Sequence, residues 1–215
     1  MSFPSKAYKV LEAVVGTEHI SKDQVICEHS NVIITLNRDN DHKIVSGEMT
    51  SLFTFNQGKV SVNLKNANAD GTVVKLSLIS QWCANTAQTK FTMLFSGSEK
   101  SRVKFISERS AYGNQKGDFN SNEYNLGFNS GNAFHSYGFA LKKDSIFWLV
   151  DNICLKREKL LILNTDFNFQ LAQWLPDYNP EDVSKKIDKL DPRQLPSMVY
   201  LKNFKFESLK GEENQ

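Results

Sequence analysis

The chain has 215 residues, 40% hydrophobic and 23% charged, which suits one globular domain large enough to bury a substantial core. Its formal net charge is +2 with no dense basic stripe, which argues against a nucleic-acid partner. No run approaches the roughly 20 apolar residues of a bilayer span, and fifteen Phe, six Tyr and three Trp favour β structure.

The N-terminus, "MSFPSKAYKVLEAVVGTEHI", does not read as a secretory signal, because its apolar segment is short, carries Glu12 and lacks a small-residue cleavage site. The chain is therefore expected either to be cytoplasmic or to be a mature form whose leader is gone, secreted or in the cell wall. No Asn-x-Ser/Thr acceptor occurs, which favours an unglycosylated protein. Further along, β-type runs recur between polar turns: 25–37, 51–66, 72–82, 90–97, 101–112, 123–129, 134–143, 145–158, 160–175 and 197–208. Val60, Val62 and Leu64 set against Lys59, Ser61 and Asn63 show the period-two alternation of a half-buried strand. Strands of this kind, joined by Gly/Asn/Asp/Ser turns, predict an all-β fold, an antiparallel β-sandwich or barrel.

"YGNQKGDFNSN" (112–122) reads as a loop and "KGEENQ" (210–215) as a flexible polar tail. "NPEDVSKKIDKLDP" (179–192) reads as a short helix near 180–190, with Asn179 as cap, Pro180 in the first turn and lysines following the acidic residues. Without repeats or a linker, residues 1–215 are expected to form a single domain. Cys27, Cys83 and Cys154 are sparse, odd in number and outside any CxxC pattern, so buried free thiols are expected, with one disulfide left open.

Several segments, in order, resemble glycoside hydrolase family 16, the β-glucanases and xyloglucan transglycosylase-like enzymes of concanavalin A-like jelly-roll fold. "FTFNQGKVSVNLK" matches a family strand with Gln57 at a usual tyrosine, and "DGTVVKLSLIS" matches the Gly-x-Val strand after it. "FHSYGFALKKDSIFWLVDN" matches a His-x-Tyr strand and the hairpin after it through His135, Tyr137, Ile146, Val150 and Asp151, with Asn152 where glycine is usual. "NFQLAQW" and "SMVYLKNFKF" fit the last strands, so the resemblance covers about residues 45–208. Residues 1–44 align poorly and are read as a candidate added strand pair.

The resemblance implies a catalytic strand reading Glu-x-Asp-x-Glu, whose period of two puts all three side chains on one face. A retaining glycosidase needs its two carboxylates about 5–5.5 Å apart, one as nucleophile and one as acid/base. Aligned on Gly97, those positions are Lys90, Thr92 and Leu94, and no Asp or Glu lies between Gly71 and Ser98. The expectation is therefore a protein that is not an enzyme. It would be a glucanase-like pseudoenzyme binding a polysaccharide such as cell-wall β-glucan, or serving in a structural assembly. Two readings stand beside it: an intracellular protein-interaction scaffold without sugar binding, and an active glycosidase with relocated carboxylates. Glu99, Glu108 and Glu123 lie nearby in sequence but read as solvated charges.

The candidate carbohydrate-binding residues are Trp82, Lys90, His135 and Trp174. Trp174 and Trp82 are read either as platforms for a sugar ring or as packing residues, and Trp148 as core. Lys90 reverses the charge expected at the cleft floor and favours an anionic glycan, or else simply reaches water. His135 is read as cleft-facing or as a satisfied structural histidine. His19, His29 and His42 lack metal-ligand spacing, and no cofactor is expected; a calcium ion on the convex face, common in relatives, is left open.

Overall fold

The computed structural model describes residues 8–10, 13–15, 18–28, 31–41, 43–67, 69–80, 88–110, 118–160, 165–175, 190 and 192–208. Within them the chain makes two sheets. The seven-stranded sheet runs β1 (Tyr8–Val10), β7 (Glu48–Ser51), β16 (Phe167–Trp174), β9 (Val73–Ser80), β10 (Thr89–Ser96), β11 (Arg102–Arg109) and β12 (Asp118–Asn125). The ten-stranded sheet runs β15 (Ile153–Lys159), β14 (Ser145–Val150), β13 (His135–Lys142), β8 (Gly58–Ala67), β17 (Ser197–Glu207), β5 (Asn31–Arg38), β6 (Ile44–Ser46), β3 (Glu18–Ile20) and β2 (Ala13–Val15), with β4 (Val25–Glu28) pairing β5. Every pairing is antiparallel except β3 with β6. Sequence neighbours repeatedly pair with distant strands, and the result is the expected all-β sandwich of jelly-roll type.

The two inner faces are built by alternation. Phe91, Met93 and Phe95 of β10 meet Val60, Val62 and Leu64 of β8, Tyr137, Phe139 and Leu141 of β13, and Trp148 of β14, all in one buried cluster. Phe95 stands edge-on to Tyr137 with centroids 4.7 Å apart, and Phe91 edge-on to Trp148 at 5.6 Å. Each large apolar side chain so buried contributes about 2–3 kcal/mol relative to exposure. At Gly138 a Cβ would lie 2.2 Å from the carbonyl oxygen of Val60, so β13 and β8 approach as only glycine allows. The β14–β15 turn holds Asp151 at φ 48° and Asn152 at φ 65°, both left-handed, as a two-residue hairpin turn requires.

Several boundaries differ from the sequence reading. Half of the loop expected over 112–122 is strand: β12 pairs residue for residue with β11 while exposing Asp118, Phe119 and Asn120, so an edge position hides its alternation. The run 25–37 holds two paired strands, β4 and β5, and 145–158 is the β14–β15 hairpin that the family motif implied. The N-terminal region is not one added pair, since β1 joins the seven-stranded sheet while β2 to β5 join the other. Cys27 and Cys154 are exposed free thiols, not buried ones, because β4 and the edge strand β15 leave one face uncovered. The helix near 180–190, the tail 210–215, Cys83 and Trp82 lie outside the described residues.

Candidate functional site

The alternation that buries Phe91, Met93 and Phe95 turns Lys90, Thr92 and Leu94 to the outer face of the seven-stranded sheet. Cross-strand register brings Lys75 and Ser77 of β9, and Lys104 and Glu108 of β11, onto the same face. A depression of about 410 Å³ lies there, lined by Lys75, Lys90, Thr92, Leu94, Lys104 and Glu108 among others. Its floor is tied by the Ser77 and Thr92 hydroxyls, 2.9 Å apart, one donating to the other.

Beside the depression, β16 presents Gln170 and Trp174, and β7 presents Glu48, paired with Ala172. Glu48 is only 6% exposed. Burial pushes its carboxyl above the usual range, while hydrogen bonds from Gln170 and Trp174 and the fields of Lys90 and Lys75 pull the other way. The Gln170 amide donates to Glu48 Oε1 at 2.5 Å, and the Lys75 ammonium lies 5.9 Å from the centre of the Trp174 ring. An aromatic ring, an amide, a carboxyl and two ammonium groups thus share one patch. That combination offers an apolar platform, hydrogen-bond partners of both kinds and a positive field.

Of the residues singled out in the sequence, Lys90 and Trp174 come together here, linked through Glu48. His135 does not join them. It belongs to β13 of the other sheet, stacks on Phe128 with centroids 3.6 Å apart, and places Nδ1 2.8 Å from Asp151 Oδ2. Trp148 is fully buried in the core. Glu123 pairs with Arg102 at 2.8 Å, whereas Glu108 stands opposite Lys90 on the lined face. Sequence reading missed Glu48, Gln170 and Lys75. The alternation in "SGEMTS" and "FNFQLAQW" carried the signal, since it puts Glu48 and Gln170 opposite the buried Met49 and Leu171. Among the described residues, no three His, Cys, Asp or Glu side chains group as a metal-ligand set.

The fold is thus a jelly-roll sandwich with a polar and aromatic depression on one outer face. Comparison makes the assignment specific: the profile of glycosyl hydrolases family 16 matches residues 10–171, and this chain belongs to that family. The match starts ahead of residue 45, so strands of the N-terminal region share in it. The β-glucanase of Acetivibrio thermocellus is 30% identical over 132 residues, covering 60% of this chain and 37% of that protein. The β-glucanase of Bacillus licheniformis is 28% identical over 118 residues, covering 55% of this chain and 46% of that protein. The matched segment thus spans less than half the length of either relative. The solved structure of the Bacillus licheniformis β-glucanase superposes with a TM-score of 0.76 at 19% identity, covering 96% of this chain and 94% of that one, a likeness of fold.

These findings correct the expectation that the chain is not an enzyme. The family is one of hydrolases, and both matched relatives are β-glucanases. The expectation rested on three positions of a single strand. The outer face instead gathers side chains from several strands, Glu48 and Glu108 among them, and no pattern within β10 reveals that.

Proposed function

We propose that this chain is a polysaccharide-acting protein of glycosyl hydrolases family 16, and that the sugar chain lies across the outer face of the seven-stranded sheet. The observation that carries the reading is the Trp174–Glu48–Gln170 cluster beside the depression. An indole face takes the C–H face of a pyranose, and the neighbouring carboxyl and amide exchange hydrogen bonds with its hydroxyls. The β-glucanase relatives make β-glucans the first ligands to try.

The test is calorimetric binding to laminarin, lichenan, chitin oligomers and anionic glycans, with reducing-end release measured on the same glycans. Trp174→Ala is expected to weaken binding about tenfold, equivalent to ~1.4 kcal/mol, through the lost stacking surface. Glu48→Gln and Glu108→Gln locate any carboxylate that bond cleavage needs. If no polysaccharide binds, or if Trp174→Ala binds as well as the parent, the reading fails. A protein partner recovered without any glycan binding would replace it by the scaffold reading.

A further inference from the structure

Granted a sugar chain on the outer face, on which this step rests, the charges around the depression also select the kind of sugar chain. Lys75 and Lys104 flank Leu94 in one cross-strand row, since Leu94 pairs with Lys75 on one side and Lys104 on the other. Two strand spacings put their Cα atoms about 10 Å apart. Lys90 stands four residues along β10 from Leu94, about 13 Å away. Three ammonium groups therefore surround the Ser77–Thr92 floor, against Glu108 within the lining and the buried Glu48 at its β7 side. Within the lined face, three lysines thus stand against one exposed-side carboxylate, Glu108.

A neutral glucan has no group that matches such a set, and covering lysines with uncharged sugar costs desolvation without an opposing charge. A single small anion does not match it either, because the three lysines are set about 10 to 13 Å apart along the sheet, farther than one small anion reaches. Lysine acts as a point charge, so sulfate esters and uronate carboxylates both suit it, and neither requires a bidentate fork. We infer that the polysaccharide taken by this face is anionic, with sulfate or carboxylate groups recurring along its chain and meeting Lys75, Lys90 and Lys104.

The test measures binding of the full chain to a sulfated galactan, to alginate and to neutral laminarin, with poly-glutamate as a polyanion that is not a sugar. One anionic glycan is expected to bind at least about tenfold more tightly than laminarin, and to weaken about tenfold as salt rises to roughly 0.5 M. Lys90→Gln combined with Lys104→Gln is expected to remove most of that preference and flatten the salt dependence. Lys142→Gln, on the other sheet, leaves both unchanged. Replacing near-surface lysines is expected to leave the sandwich folded, and thermal midpoints of the variants are the check. The galactan and alginate arms tell sulfate from carboxylate. Laminarin bound as tightly as either, without salt dependence, overturns the inference and leaves the polysaccharide reading standing. Equal binding of poly-glutamate also overturns it, as charge without sugar recognition. Binding of no glycan at all ends both.

Discussion

Glu48 is the residue at which physical chemistry makes the clearest demand. Its carboxyl is buried, and burial raises its proton affinity above the ordinary range near 4.5. The folded protein therefore holds a proton there in a window above pH 4.5 where the unfolded chain has released it. The stability contributed by that proton is complete below the unfolded value and is lost as pH rises through the folded one. Glu48→Gln, which keeps the shape without the charge, is expected to unfold at higher denaturant than the parent at pH 7. The difference should close as pH falls toward 4, and a gap independent of pH would show that Glu48 is not the group responsible. Trp174→Ala tests the same cluster from the ligand side, because it removes the platform and spares the core.

Strands β13 and β8 depend on a glycine. Gly138→Ala forces a methyl group into the Val60 carbonyl, and only separation of the two strands relieves the clash. A loss of about 3 kcal/mol or more is expected, read as a lower denaturant midpoint with an unchanged slope. At the sandwich edge, β15 pairs with β14 along its ladder and adds side-chain contacts that reach beyond its own strand. Lys156 meets Glu158 at 2.9 Å and lies 4.6 Å from the centre of the Trp148 ring, while Ser107 of the opposite sheet donates to Glu158 at 2.8 Å. Lys156→Met leaves Glu158 half-buried opposite Ser107 and should cost about 2 kcal/mol. The double change Lys156→Met with Glu158→Gln should cost less than the sum of the two single changes. Additive costs would mean that Lys156 and Glu158 are not coupled.

At the scale of the whole molecule, the larger of two buried clusters among the described residues takes side chains from both sheets, so the sheets share that core. A single calorimetric unfolding transition is expected, and two separable transitions would contradict the one-domain reading. Refolding should be slow for the chain's size, on the order of milliseconds to seconds, because the central pairings, β16 with β7 and β9, β8 with β13 and β17, and β17 with β5, join residues far apart in sequence.

Local rules carried much of the architecture. Period-two alternation in β8, β10 and β16 decided which side chains entered the core, and the order of the motifs pointed to the family before any contact was known. Both rest on interactions between near neighbours, which a sequence displays directly. Edge strands escaped such rules: the first part of β12, residues 118–122, reads as a loop because one of its sides has no partner and both its faces are largely polar. The site escaped them more thoroughly. Glu48, Lys75, Lys90, Lys104 and Trp174 come from five strands; Lys90 and Trp174 stood out within their own segments, but nothing local joins them to Glu48, Lys75 and Lys104. Residues read together in sequence also came apart, with His135 in the ten-stranded sheet and Lys90 in the other. The sequence by itself determined a β-sandwich of this family, since alternation and turns are local. Only the tertiary structure decided which charges and rings meet, because strand order sets the face they share and no local pattern encodes it.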